Sequence, residues 1–523
     1  MPLPVADMQW PPGDCHRPSR LYDEWGAWYS GSVDELARVY GATGAFPGLD
    51  PKGYDRPSQY AGGLVGRIAR FFWGTPTPRG ELRNNKLHIP VAGDIAATSA
   101  DLLFGEMPAV AIGDGSTQDR LDTLLTDGGL RARLLEAAEL AAAYGGVFLR
   151  VGWNTAVADH PLVDALLPDT AVPEWQSGHL TAVTFWRVVS EPDDSDVWRH
   201  LERHEPGRVL HGLYKGTGDR LGRPMPLVDH PATAQWAEQI DEAGGIATGA
   251  KRLTAVYVPN MRPHRIIRGT PLGRSDYAGV EPIMDAFDEA WTSWMRDLRL
   301  AKARLIVPSI YLRSNGPGKG ASWDAEQEIY AGLDMMPEKG AGASMLTPVQ
   351  FAIRVEEHER TTADLFAQVV RGAGYSVQTF GEMGDAGVTA TEVNARERKS
   401  YTTRGRKIGY WTPGLGDLFE VLLEVDAAVF RSGVTPERPT IEFPDAVTPD
   451  PEAQARTLQI LDAARAASIE TKVRMLHPDW DDPAVTKEVD RIKAETGSAP
   501  VVNPDTFTGD TGTPASPPTE LPA

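Results

Sequence analysis

The chain of 523 residues has a single cysteine, Cys15, so no disulfide can close within it and no multi-thiolate metal site can be built. It has no apolar run long enough to cross a bilayer. Residues 1–10, with Pro2, Pro4 and Asp7, lack the basic and apolar regions of a secretion signal. These absences predict neither export nor membrane insertion, and synthesis in a reducing cytoplasm. Positive charge is also in deficit: 52 Lys and Arg stand against 72 Asp and Glu, a net charge of -20. That balance excludes a protein that grips nucleic acid through its overall field, but not one past which a polyanion slides without sticking.

Motifs for chemistry are missing as well. No G-x-x-x-x-G-K-[ST] phosphate cradle occurs; Gly316, Gly318, Lys319 and Gly320 come nearest, but no Ser or Thr follows Lys319, so they read as a turn. Gly216, Gly218 and Gly222 miss the dinucleotide spacing and fall between strands. There is no G-x-S-x-G elbow, and Cys15 has no base near it in sequence. His200 and His204 stand four apart as in a zinc protease, but Glu202 is misplaced for activating water and residues 198–205 read as a strand edge. A surface pair is the better reading. His477, Asp479, Asp481 and Asp482 cluster as cation ligands do, but Pro478 and Pro483 flank them as they flank helix ends, which suits caps. No catalytic, cofactor-binding or metal-binding residue is assigned, and no enzyme activity is expected.

A length of 523 residues exceeds what one core usually organises, so several folding units are expected. Residues 21–40 are aromatic and amphipathic and predict a helix pair. Residues 95–104 predict a helix, and 121–144 one or two more. Segments 147–151, 180–188, 209–214 and 253–258 are short, β-branched or aromatic and bounded by turn residues, as strands are. An α+β unit is therefore expected to about residue 270.

A long helix follows, with Val280, Ile283, Met284, Phe287, Trp291, Trp294, Met295 and Leu298 at helical spacing, acids early and bases late. Residues 305–312 form an apolar run and 350–355 alternate, with Phe351, Ile353 and Val355 on one face, so a β-containing insertion is expected. A second helix carries Leu365, Phe366, Val369 and Val370 toward a break at Gly372 and Gly374. Residues 378–388, with Gly381, Gly384 and Gly387, read as a loop. Thr389 and Glu392 signal the start of a third helix, interrupted at Pro413 and resumed through Leu415, Leu418, Phe419, Leu422 and Val429. After a strand at 440–443, residues 451–495 are helical. The Pro-, Thr- and Gly-rich stretch 497–523 has too little apolar content to fold.

This order of pieces resembles the portal, or head-to-tail connector, family of tailed bacteriophages. Local motifs agree: Asn260 followed by Gly273-Arg274-Ser275-Asp276 and Pro282 looks like the portal entry into the first stem helix. Residues 100–108 (A-D-L-L-F-G-E-M-P) look like an N-terminal wing segment. Residues 467–472 (A-S-I-E-T-K), the Asp-rich 477–482, and Glu488, Arg491, Ile492 and Glu495 look like the crown pattern. The match runs over nearly all of residues 20–496, and the clip aligns least well.

The resemblance implies an α+β portal fold divided as follows: N-terminal arm 1–20, α+β wing 21–272, first stem helix 273–303, clip 304–355, second stem helix 356–375, tunnel loop 376–388, tunnel and wing helices 389–445, helical crown 446–496 and disordered tail 497–523. It implies a cyclic homo-oligomer, expected to be a dodecamer, at one capsid vertex of the virion and assembled in the host cytoplasm. Its partners would be the major capsid protein and scaffold, the large terminase subunit, head-completion adaptor and tail proteins, and double-stranded DNA passing through the channel. The ring would nucleate head assembly and carry out no chemistry. The stem would pack through Phe287, Trp291, Trp294, Leu298, Leu365, Phe366 and Val369. The DNA-facing loop would be Gln378, Thr379, Gly381, Glu382, Gly384, Asp385 and Gly387, its acids repelling phosphate so that contact is sliding rather than gripping. Arg396, Arg398, Lys399, Arg404, Arg406 and Lys407 would form a basic band facing DNA or a neighbouring subunit. Two alternatives remain open, a minor head or adaptor protein, and a head protein with a hydrolase or transferase site in the wing.

Overall fold

The computed structural model describes residues 3–41, 87–127, 129–190, 196–241, 245–300, 304–306, 313–314, 321–322, 347–349, 354–381, 390–444, 451–477, 480 and 482–496. It divides into two compact units, Met1–Ala446 and Val447–Ala523.

In chain order the first unit contains helices α1 (His16–Ser30), α2 (Val33–Gly41) and α3 (Val91–Phe104), strand β1 (Ala109–Ala111), and helices α4 (Gly115–Asp127) and α5 (Leu130–Tyr144). Strands β2 (Gly146–Gly152), β3 (Leu162–Leu166), β4 (Ala171–Gln176), β5 (His179–Val188), β6 (Val197–Glu205), β7 (Arg208–Gly216) and β8 (Arg223–Met225) follow. Then come α6 (Pro231–Ala237), β9 (Gly245–Ala247) and β10 (Ala255–Pro259). The long helix α7 (Glu281–Leu300) leads into β11 (Arg304–Ile306), β12 (Arg313–Ser314), β13 (Ala321–Ser322) and β14 (Thr347–Val349). Helices α8 (Val355–Ala373) and α9 (Ala390–Val429) and strand β15 (Thr440–Glu442) close the unit.

Two antiparallel sheets form most of the β part, beside the two-stranded pairs β1-β15, β11-β14 and β12-β13. One has the order β4-β5-β6-β7-β8, with β9 also on β7; the other is β10-β2-β3. Residues 198–205, read from sequence as a strand edge, are instead the centre of the larger sheet, because Arg199, Arg203, His200 and His204 find partners that let polar side chains be buried there. β3 and β4 had no clear sequence signal, since Asp164, Pro173 and Glu174 break their apolar pattern.

One core lies between α3, α4, α5, β2, β10 and α9, around Leu103, Leu134, Val147, Val258, Trp411, Leu418 and Phe419. A second joins α1, α2 and α3 to α7 and α8 through Trp25, Trp28, Ile95, Tyr277, Phe287, Val369 and Tyr375. Burying one such aromatic side chain stabilises the fold by roughly 1.5–3 kcal/mol. The expected helix pair at 21–40 is α1 and α2, divided at Gly31, whose φ of 66° is the left-handed turn that ends α1. The arm expected over 1–20 is shorter, because α1 begins at His16. Residues 3–10 lie along the larger sheet instead: Tyr214 Oη donates to the Pro4 carbonyl (2.8 Å), Asp7 N to Gly222 O (2.7 Å) and Leu221 N to Met8 O (2.9 Å). Trp10 is buried there with Leu201, Tyr214 and Leu221.

Other boundaries shift. The first long helix begins at Glu281 rather than 273, because residues 273–280 are held in a turn. A strand stands at Thr347–Val349 and Val355 opens α8, while 350–353 of the strand expected at 350–355, Phe351 and Ile353 among them, lie outside the described residues. Gly372 is inside α8, and the turn out of it is Gly374, at φ 104°. α9 runs unbroken through Pro413 for 40 residues, about 60 Å. The ring removes one backbone donor, but full burial of Trp411, Leu415, Leu418 and Phe419 on either side of it outweighs that local loss, and Arg438 Nη2 donates to the Pro413 carbonyl (3.0 Å).

The second unit holds α10 (Pro451–Ala463), α11 (Ile469–Leu476) and α12 (Asp482–Thr496). Ser468 caps α11 by accepting from Thr471 N (3.1 Å), and His477 stacks on Trp480 with ring centroids 3.8 Å apart. Its small core is Val473, Val485 and Val489, with Ile469 and Ile492 against it. The expected tail 497–523 lies outside the described residues.

Candidate channel-forming region

The turn before α7 is built from glycine and polar residues for a reason visible in space. Gly145, at φ 84°, ends α5, and Gly273 crosses its backbone so closely that a Cβ on either would collide with the other strand. The crossing is fixed by Asn260 N donating to Gly145 O (3.0 Å), Arg274 N to Met261 O (3.0 Å) and Asp276 N to Ala142 O (3.0 Å). Ser275 Oγ also donates to Ala142 O (3.1 Å).

Asp276 then becomes a buried hub. Its Oδ1 accepts from Asn260 Nδ2 (2.8 Å), and its Oδ2 from Tyr375 Oη (2.7 Å) and Lys407 Nζ (2.5 Å). Lys407 also donates to Ser99 Oγ (2.5 Å). Asp276 and Lys407 are each 1% exposed. Burial pushes the Lys407 pKa down while the Asp276 carboxylate opposes that shift; burial, then Asp276, pushes the Tyr375 phenol up. One ion pair thus ties β10, the turn before α7, the segment after α8, α3 and α9 into one junction. A second tie lies beside it: Trp25 Nε1 donates to Glu281 Oε1 (3.2 Å), Gly279 N to Glu281 Oε2 (2.5 Å) and Tyr277 Oη to the Trp25 carbonyl (2.8 Å).

From this junction α7 and α8 run antiparallel as an aromatic seam. Phe380 meets Phe366 (6.1 Å between centroids), Phe366 meets Phe287 (6.1 Å), Phe287 meets Trp291 (6.3 Å), Trp291 stacks on Trp294 (4.9 Å) and Trp294 on His358 (5.9 Å). Asp297 closes the far end by accepting from His358 Nε2 (2.9 Å) and Arg354 Nη2 (3.2 Å); those bonds hold its carboxyl below the usual range. Burial fades along the seam. Phe287 and Val369 are fully covered, Trp291, Trp294, Leu365 and Phe366 are half-covered, and Leu298 is 38% exposed. Of the expected stem residues, six are therefore in the seam and Leu298 faces outward.

The expected loop divides. Gln378 and Thr379 belong to a single 3-10 turn, Val377–Phe380, ended by Gly381 at φ 82°, with Thr379 Oγ1 2.8 Å from Ser400 Oγ. That part is local structure rather than free loop, because Ser376 and Thr379 are tied to α9 through Ser400. Glu382, Gly384, Asp385 and Gly387 lie outside the described residues.

The expected basic band does not hold together as one surface. Lys407 is the buried hub cation, and Arg404 is buried, with Nε donating to Leu102 O (2.5 Å) and Nη2 to Pro444 O (2.8 Å). Lys399 donates to the Arg371 carbonyl. Arg398 and Arg406 are exposed, and the Arg396 side chain lies outside the described residues. Helical phase explains the split: Lys407 stands four residues before Trp411 and eight before Leu415, on the apolar face of α9.

The wing histidines are likewise internal rather than a surface pair. His200 Nε2 lies 3.1 Å from His211 Nδ1, and His211 stacks on Trp236 at 4.6 Å. His204 bridges Thr254 Oγ1 (2.6 Å) and Glu202 (2.9 Å), while Arg150 pairs with Glu202 (2.8 Å) and Asp164 (2.5 Å). Burial, reinforced by the facing ring, lowers His200 to about 4. Burial also lowers His211 to about 4 against the pull of Glu202. One ring nitrogen of each is engaged with the other. Among the described residues no three His, Cys, Asp or Glu side chains converge to hold a metal ion.

The described residues thus form an α+β body carrying a pair of long antiparallel helices rooted in a buried ion pair. A family model described as phage portal protein, SPP1 Gp6-like, matches residues 77–499, and the chain belongs to that family. No curated protein sequence matches the chain. Among solved structures, a chain of the virion of a native gene transfer agent particle is similar at 15% identity and a TM-score of 0.37, covering 79% of this chain and 99% of that one. Chains from the neck of the native particle computed with C12 symmetry (15%, TM-score 0.38, 79% and 98%) and from the neck of the empty particle computed with C6 symmetry (15%, TM-score 0.36, 78% and 98%) are similar too.

Proposed function

We propose that this portal protein assembles as a closed ring, a dodecamer, whose α7–α8 pairs form the stem of a DNA channel at one capsid vertex. Membership in the portal family carries the reading, and the seam supports it. Two half-covered tryptophans and an outward Leu298 at the far end of α7 are what a neighbouring α7–α8 pair would cover in a head-to-tail, closing interface. The ring would nucleate the head on capsid and scaffold proteins, dock the terminase, and later carry adaptor and tail proteins, within a virion assembled in the host cytoplasm. The ATPase chemistry of packaging would reside in the terminase, in keeping with the missing phosphate cradle. Residues 304–355 would serve as the clip, 376–388 as the tunnel loop with Glu382 and Asp385 repelling phosphate, and 446–496 as the crown. No membrane and no cofactor enter this function.

Electron-microscope averages of the purified chain should show rings with a central hole, and replacing Trp294 with serine should shift the population toward single chains without unfolding them. Parent protein that stays monomeric at high concentration, with no ring in particles, would overturn the proposal.

A further inference from the structure

The short helix α6 lies on the larger sheet with little of itself buried. Of its seven residues only Thr233 is buried, and Thr233 Oγ1 donates to Leu227 O (2.6 Å) within the same segment. Side-chain ties to the sheet come from the Trp236 ring stacked on His211 (4.6 Å, 9° between planes), the Trp198–His230 ring contact just before the helix (5.9 Å), and Arg187 Nη2 donating to Ala232 O (3.4 Å). Trp236 Nε1 is enclosed with no hydrogen-bond partner among the described residues, so this residue is held through its ring face.

Beneath Trp236 the layer is titratable. His211 and His200 are both buried, their planes 9° apart, and the facing nitrogens stand 3.1 Å apart, which leaves room for one hydrogen between them. The charged and titratable groups facing the pair are Glu202 and His204 on β6, Arg187 on β5 and Arg150 on β2; from α6 comes the Trp236 ring. Glu202 is already engaged by Arg150 (2.8 Å) and His204 (2.9 Å). The neutral pair is therefore satisfied. A first added proton puts an imidazolium under an indole and near two guanidiniums, with the one carboxylate committed. A second puts two hydrogens face to face and breaks the contact.

We infer that α6 is an acid-released lid: proton uptake by His200 and His211 lifts Trp236 and its helix off the larger sheet while the sheet stays paired. Opening gives both imidazoles to water and sacrifices a ring stack and a long hydrogen bond. Segments with so few buried contacts are the first to open. Beneath the lid, β6 and β7 are paired residue for residue from Val197 with Gly216 to Glu205 with Arg208, so the sheet has the stronger hold. The sign follows from the two states. Each histidine sits at about 4 when the lid is closed and at the ordinary 6.5 when it is wet. The lid is thus fully closed above pH 6.5, and its opening constant rises about tenfold per pH unit, for each proton taken up, as pH falls toward 4.

Amide hydrogen exchange of the full-length chain at pH 7 and pH 5, each normalised to the unfolded chain at the same pH, tests the lid. Exchange over residues 232–241 should rise by about tenfold or more at pH 5 while β6 and β7 stay protected. His200→Gln/His211→Gln should remove that rise. Should the double variant fail to fold, Trp236→Ala decides, since without the stack the same amides should exchange fast at both pH values over an intact sheet. Equal protection of α6 at the two pH values overturns the inference. So does protection lost at the same rate through β6 and β7, which marks unfolding of the sheet. An acid response that survives in the double variant, or a Trp236→Ala chain that keeps both its protection and its acid response, overturns it as well.

Discussion

At the scale of single residues, the Lys407–Asp276 pair links five segments that are distant in sequence, so its loss is expected to be felt well beyond its own helix. Lys407→Met leaves Asp276 charged, buried and short of its cation. The unfolding free energy should fall by about 3–5 kcal/mol. The double variant Lys407→Met/Asp276→Asn removes both charges and should recover a large part of that loss. Chemical denaturation of the dissociated chain reads both, and a single variant as stable as the parent would show that the pair does not hold the junction. Sequence pointed to both partners without pairing them. Asp276 stands in the G-R-S-D turn, and Lys407 shares a helix face with Trp411 and Leu415, but 131 residues separate them. Reading Lys407 as part of a basic band counted charge along the chain and ignored helical phase.

At the scale of elements, helices were legible where the apolar period was long and uninterrupted. α1, α3, α5, α7 and α8 follow patterns that a helix face imposes. Local rules failed where tertiary burial outweighed them, as at Pro413 inside α9, or where polar residues point inward, as in β6. That inward polarity makes the larger sheet acid-labile. His200 and His211 have folded pKa values of about 4 against an ordinary 6.5, so the unfolded chain binds protons that the sheet resists between those values. Their neutral burial is fully accommodated above pH 6.5 and becomes a growing penalty as pH falls toward 4. Glu202 adds to the same trend: burial would raise its pKa, but Arg150 and His204 hold it below the ordinary value. It therefore contributes stability above the carboxylate range and loses it in acid. Melting midpoints of the first unit should drop from pH 7 to pH 4, and His200→Gln/His211→Gln should flatten that slope. An equal slope in the double variant would place the acid lability elsewhere.

At the scale of the whole molecule, the two units differ sharply in how much they bury. Met1–Ala446 carries two extensive cores, whereas the described part of Val447–Ala523 closes over three valines and leaves Ile460, Met475, Leu476 and Trp480 exposed. A single core in so short a stretch rarely supplies more than about 3–5 kcal/mol of net stability. A chain ending at Ala446 should therefore melt cooperatively, within a few degrees of the dissociated parent. A fragment of residues 447–523 should show helix that fades over a broad range. A sharp, independent transition in that fragment, followed by circular dichroism, would show that its helices stand alone.

Residues 3–10 are synthesised well before their partners, since the Tyr214 hydroxyl that binds the Pro4 carbonyl is made 210 residues later. Until then Trp10 has no pocket, and the larger sheet has not met the segment that lies along it. Closing so long a loop is slow relative to forming the local helices α1 and α2. The order of translation is thus reversed in folding: residues 3–10 reach their place only after β7 has been made, and a ribosome stalled before β7 would carry a nascent chain in which they are still unbound.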